Sequence, residues 1–205
     1  MSEEPREQTL VEIGAASAAL PGELVSGDVP VVEPFQGGVL VAAIDGLGHG
    51  GEAARAALRA QSVLEDHAGA PLPALFERCH ARLARTRGVA MSLAAFHERE
   101  QRLTWLGVGN VEGMLLRAKA TPGASAESIL LRGGVVGYKI PSLRPSTTHV
   151  GPGDTLILTT DGIESAFRYG LRAEGPPQHL ADRILSEHRR ESDDALVIVA
   201  RYLGG

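Results

Sequence analysis

The stretch Val39-Leu40-Val41-Ala42-Ala43-Ile44-Asp45-Gly46-Leu47-Gly48-His49-Gly50-Gly51 decides the fold. Its six aliphatic residues run without alternation, the pattern of a short strand covered on both faces. A glycine turn over 46–51 ends the strand, and the Ala-rich segment 52–65 has strong helix propensity. Residues 46–51 also match G-x-G-x-x-G between a strand and a helix, the setting of a dinucleotide site. Two features argue against that reading. Asp45 would place a carboxylate beside the pyrophosphate, and a second helix follows the first where an acidic strand end should come. A Walker loop is excluded too, because no Gly-Lys-Ser/Thr follows. What remains is a turn whose glycines let backbone approach an ion or a phosphate, next to helix N-terminal amides that favour an anion.

On the C-terminal side, a helix starting near Pro71 carries Leu72, Leu75, Phe76, Cys79 and Leu83 on one stripe, so Cys79 reads as core. Strands are expected over 89–97, 102–108, 111–117, 128–131 and 155–160, with Glu98–Gln101 as a hairpin turn. A short helix follows Asp161, another runs from Pro176-Pro177 to His188, and Ala195–Tyr202 closes as a strand. On the N-terminal side, 9–20 and 24–32 read as strands around Pro21-Gly22. This order is α+β, not alternating βαβ, and predicts packed antiparallel sheets covered by helices. No repeat or linker divides the 205 residues, so one domain over 1–205 is expected.

Composition narrows the function. Hydrophobic residues make up 43% and charged ones 22%, ordinary for a globular protein. No apolar run exceeds six residues, the length of Val39–Ile44, which is too short for a membrane helix. The polar start MSEEPREQ matches neither a secretory signal nor a transit peptide, and the single cysteine fits a reducing compartment, so a cytoplasmic protein is expected. A formal charge of −5 argues against nucleic acid as the main partner. A monomer is expected.

Aspartate is scarce at eight residues, and its placement is informative. Asp28 follows Val25-Ser26-Gly27, Asp45 ends the apolar strand, Asp161 ends Leu156-Ile157-Leu158-Thr159-Thr160, and Asp193-Asp194 open the last strand. Any one of these serves equally as a cap or turn former. Asp154, in Gly151-Pro152-Gly153-Asp154, belongs to a hairpin turn. Carboxylates converging at apolar strand ends would repel one another unless a cation neutralises them. An oxygen-only donor set points to a hard ion, Mg²⁺ or Mn²⁺, and not to zinc.

Three segments together, "AAIDGLGHGGEAA" around Asp45, "LILTTDGIESA" around Asp161 and "SDDALVIVA" at the end, resemble the metal-dependent serine/threonine phosphatases of type 2C (the PPM family). The SpoIIE branch is the nearest likeness. Within it, "GVGNVEG" (107–113) and "RGGVVGYKIPSLRP" (132–145) resemble a small stand-alone phosphatase that resets a stress-signalling complex, the stressosome. The likeness runs over about residues 24–200 in the family's order and implies a β-sandwich flanked by helices on both faces, αββα.

By this resemblance Asp45 bridges two divalent ions, Mn²⁺ or Mg²⁺, and the Gly46 carbonyl completes one coordination shell. Asp161 and Asp193 hold the ion nearer the last strand, Asp194 stands where relatives often have Asn, and Asp28 serves the other ion. For Asn110 a hydrogen-bonding role and a catalytic one both stay open. The implied reaction is hydrolysis of phosphoserine or phosphothreonine by a metal-activated water, with Asp45 and Asp161 central and no protein nucleophile.

Two departures qualify the likeness. Where many relatives carry a histidine two residues after the bridging Asp, this chain has Leu47, which leaves His49 as the candidate proton donor. No arginine occurs in the segment just before Asp28 to hold the phosphate. The stretch 132–150 is too short for a large flap, so an open site suited to a folded protein substrate is expected. The implied substrates are phosphorylated STAS-domain proteins of the stress-signalling complex. The alternative is a non-catalytic partner-binding module of the same fold.

Overall fold

Two β-sheets stack face to face, and each carries helices on its outer side. A computed structural model of the chain describes residues 9–119 and 126–204. The start MSEEPREQ therefore lies outside the described residues. In chain order the elements are β1 (Val11–Ala18), β2 (Asp28–Phe35), β3 (Gly38–Gly46), α1 (Gly50–Asp66), α2 (Leu72–Arg82), β4 (Val89–His97), β5 (Arg102–Val108), β6 (Glu112–Leu116), β7 (Ala126–Ser128), β8 (Leu131–Arg132), β9 (Ser146–His149), β10 (Thr155–Thr159), α3 (Pro177–His188) and β11 (Ala195–Tyr202). A single turn of 3₁₀ helix, Ser165–Arg168, is the short helix expected after Asp161.

One sheet has the order β1-β11-β10-β6-β7 and the other β2-β3-β4-β5-β8, with β9 also on β5. All pairings are antiparallel except β5 with β8. The expected α+β sandwich is what forms, αββα.

The unbroken apolar run explains how. Val39, Val41 and Ala43 of β3 point between the sheets, where they meet Phe96, Leu158 and Ile198. Leu40, Ala42 and Ile44 point outward under α1 and α2, against Ala56, Ala60, Leu75, Phe76 and Cys79. β11 splits in the same way, with Leu196, Ile198 and Tyr202 inward and Val197 and Val199 under α3. Both strands are central and doubly covered, so neither alternates in polarity. Cys79 is fully buried in the α1–α2 core, and burial pushes its thiol up to about 12.

Three expectations shift. The strand expected at 24–32 begins at Asp28 and runs to Phe35. Leu24 and Val25 are exposed in the preceding turn, and Pro30 and Pro34 are tolerated because β2 is an edge strand. The strand expected at 128–131 is two short pieces on different sheets, β7 and β8, with Ile129 and Leu130 at the crossing. Ser146–His149, for which no strand is expected from the sequence, is strand β9 paired with β5. No helix among the described residues is long and apolar enough to cross a membrane.

Candidate metal centre

The strand register sets the first pair of carboxylates. Asp28 opens β2 and Asp45 nearly closes β3, and the two are direct antiparallel partners. From the other sheet, Asp161 follows β10 and Asp193-Asp194 precede β11. Both groups of strand ends lie at one end of the sandwich, so the four carboxylates expected to share a site act on one another.

Their electrostatics record that proximity. Asp28 is 7% exposed. Burial, and then the Asp45 charge, push its carboxyl up to about 8, with smaller contributions from Asp194 and Asp161. Asp45 is pushed up to about 7 by burial and by Asp161, Asp193 and Asp194. Asp193 is also raised, chiefly by burial, with Asp161 and Asp194 adding to it. Burial and like charges thus disfavour full ionisation of the cluster, and a cation reverses both effects. Among the described residues no three His, Cys, Asp or Glu side chains are gathered closely enough to hold an ion as they stand. The donor chemistry fits a hard divalent ion, since every candidate ligand is a carboxylate oxygen or a backbone carbonyl.

Glycines let the backbone close in. A Cβ on Gly46 would collide with the backbone of Ala53 in α1, and one on Gly162 with the carbonyl of Asp194. The glycine after each of these aspartates is therefore required by packing, and it holds the Asp45 turn against α1 and the Asp161 turn against the start of β11. Gly46 also donates its N–H to the Gly27 carbonyl at 3.1 Å, which ties the turn to the residue before Asp28.

Around the carboxylates, Asn110 makes the hydrogen bond that the sequence left open for it, while Thr160 and Asp194 have roles that the sequence did not assign. Asn110, at the β5–β6 turn, donates from Nδ2 to Asp161 Oδ2 at 2.5 Å. Its nearness to Asp45 also counters the rise of that carboxyl. Thr160 donates its hydroxyl to Asp28 Oδ2 at 2.7 Å and accepts the Leu196 N–H at 2.9 Å. Asp194 is 2% exposed, and its two oxygens accept the N–H groups of Leu20 and Gly27, each at 2.8 Å. Asp194 thus fastens the loop before β2, whereas Asp193 is half-buried beside Asp161. Pairing one acceptor with two orphan amides is a tertiary event, and no local spacing announces it.

His49 stands at the N-terminus of α1, exposed, with Nδ1 2.7 Å from Glu23 Oε1. Its charge acts on Asp193, which places it at the rim of the carboxylate cluster. Leu47 donates its N–H to the Gly88 carbonyl, so the glycine turn is also pinned from the β4 side. Asp154, read as a turn residue, accepts from Gly151 N, Ala118 N and Arg117 far from the cluster.

Comparison with known proteins follows the same lines. Over 142 residues, 69% of each chain, the sequence is 24% identical to the phosphoserine phosphatase RsbX of Bacillus subtilis (strain 168). A chain solved in work on the bacterial stressosome, described as a modular system adapted to control secondary messenger signaling, is 30% identical and superposes with a TM-score of 0.84 over 93% of this chain and 99% of its own. RsbX in complex with magnesium superposes with a TM-score of 0.84 at 20% identity, over 96% of this chain and 98% of its own. The model of the family described as Stage II sporulation protein E (SpoIIE) matches residues 36–203, a span that holds every carboxylate of the cluster but Asp28. On that match the chain belongs to the SpoIIE family.

Proposed function

We infer that the chain is a metal-dependent protein serine/threonine phosphatase, one domain over residues 1–205. The observation that carries this reading is the cluster of Asp28, Asp45, Asp161 and Asp193 at the end of the sandwich, in which burial and neighbouring like charges hold back the ionisation of Asp28, Asp45 and Asp193. Asp45, Asp161, Asp193, Asp28 and the Gly46 carbonyl would hold the metal, with two Mn²⁺ or Mg²⁺ ions proposed. When bound, such ions supply an acidified water and offset charge on a phosphoryl group.

The chain's own residues do the rest. Asn110 and Thr160 orient Asp161 and Asp28 through the bonds described above. α1 begins directly after His49, and amides at a helix N-terminus favour a phosphate oxygen. Glu23 holds His49 by Nδ1, which leaves Nε2 to give a proton to the departing seryl or threonyl oxygen. Cys79, buried and held as a thiol, takes no part.

The proposed substrates are phosphorylated STAS-domain proteins of a stress-signalling complex in the cytoplasm, acted on by a monomer. Similarity to RsbX and to the chain from the stressosome work supports that choice. The test is phosphate release from phosphoserine and phosphothreonine peptides by the purified chain, titrated with Mn²⁺ and with Mg²⁺. Turnover that saturates with metal and stops in EDTA is expected. Metal binding without turnover would instead favour a non-catalytic binding module.

A further inference from the structure

Beside the glycine turn lies a groove of about 330 Å³ between α1 and the α2–β4 turn, lined by Glu52, Arg55, Arg59, Arg85, Thr86 and Arg87. Four guanidinium groups face one carboxylate there, in a chain whose net charge is −5. All four arginines are exposed. Glu52 meets Arg87 at 2.7 Å and Arg55 only at 4.0 Å, while Arg59 and Arg85 have no ion pair among the described residues. The excess positive charge is therefore local and largely uncompensated.

The groove adjoins the glycine turn that leads out of the candidate metal centre. A Cβ on Gly48 would lie 2.6 Å from Arg87 Nη1, so this guanidinium rests on the turn that follows Asp45. Arg85 adopts φ +72°, a left-handed conformation that costs a side-chain-bearing residue free energy where glycine would be relaxed. That conformation sets Arg85 on the groove wall.

We propose that this groove, resting on the phosphatase reading above, docks an acidic segment of the phosphoprotein substrate next to its phosphorylated residue. Arginine forks suit carboxylates, and several such pairs at a rim give selectivity and faster encounter without a deep pocket. The stretch of α1 from Gly50 to Arg59 is about 14 Å long, which an extended peptide covers in about four residues. The acidic residues recognised thus sit a few positions from the phosphoserine. An acidic protein of this charge is a poor nucleic-acid binder, so a peptide is the favoured occupant.

The experiment compares a fluorescein-labelled phosphoserine peptide flanked by Glu with its Gln counterpart, by anisotropy in EDTA, using the full chain and the double variant R55E/R59E. Turnover of para-nitrophenyl phosphate with Mn²⁺ is measured in parallel. The Glu peptide should bind about tenfold more tightly, the product of several exposed ion pairs each worth a factor of about five or less. The preference should vanish in the variant and in high salt, while nitrophenyl phosphate turnover stays unchanged. Equal binding of the two peptides, or a preference that survives charge reversal, overturns the proposal. Tighter binding of a single-stranded oligonucleotide of equal charge overturns it as well. A wild-type chain that prefers the Glu peptide but turns over no nitrophenyl phosphate supports the groove and refutes the phosphatase reading instead.

Discussion

Thr160 and Asp28 join the two sheets at the candidate centre: the threonine hydroxyl, just past β10, donates to the carboxylate that opens β2, at 2.7 Å. The same oxygen accepts the Leu196 N–H. Thr160→Val removes both bonds and strands a buried amide, at a cost of about 1–3 kcal/mol in stability. It also removes the one bond that draws the Asp28 carboxyl back toward the acidic range. The midpoint of a Mn²⁺ titration at neutral pH should move to higher concentration, and Thr160→Ser should restore much of both properties. Urea unfolding and metal-dependent phosphate release check the two effects separately.

Stability without metal should fall as pH rises. The carboxyls of Asp28 and Asp45 stand at about 8 and about 7 in the folded chain, against an ordinary 3.8. Between those values the folded chain keeps protons that the unfolded chain has released. The stabilisation is complete below the ordinary value and is lost as pH climbs through 7 and 8. In EDTA the melting temperature should decline from pH 5 to 9, and Mn²⁺ should shrink that decline by taking the place of the protons. Differential scanning fluorimetry across this range, with and without metal, gives the answer.

The neighbours Asp193 and Asp194 should separate by assay. Asp194→Ala strands the amides of Leu20 and Gly27, both held by that carboxylate, and should cost about 2–4 kcal/mol in stability. Asp193→Asn should leave the melting temperature of the metal-free chain equal or higher, because one repelling charge is gone. Its metal affinity should drop at least about tenfold. Thermal melts and metal titration of both variants check this contrast.

His49 has its own signature if it protonates the leaving oxygen. His49→Ala should lower kcat on a phosphoserine peptide by about a hundredfold. On para-nitrophenyl phosphate, whose leaving group departs as a stable anion, the loss should be small. Glu23→Gln should reproduce part of the peptide defect, since Glu23 only positions the ring. Parallel kinetics on the two substrates check it.

Much of this architecture was legible because it is written in local chemistry. The uninterrupted Val39–Ile44 run announced a strand covered on both faces, and the packing of Leu40 outward and Val41 inward is what such a run demands. Aspartates at the ends of apolar strands marked where unsatisfied charge would gather. The boundaries of β2 were not legible. Leu24 and Val25 look like strand residues, yet they are exposed in a turn, while the prolines that argue against a strand sit harmlessly on an edge. Strand β9 escaped notice because Ser-Thr-Thr-His has no apolar alternation, and its order comes from pairing with β5. Thr160 and Asp194 were hidden for a deeper reason. Each finds its partner in an element more than 30 residues away, so no window of sequence contains the bond. For Asn110 the sequence leaves a hydrogen-bonding and a catalytic role open, and only the approach of Asp161 decides what the side chain does.

The central claim, that Asp45 organises a metal centre for phosphate-ester hydrolysis, is tested most directly by Asp45→Asn. Because this carboxylate is pushed up to about 7 by burial and its neighbours, losing its charge should leave the metal-free chain as stable as before or more so. Phosphate release from a phosphoserine peptide at saturating Mn²⁺ should nevertheless fall by at least about a hundredfold. A variant that folds normally and still releases phosphate at the wild-type rate would contradict the account.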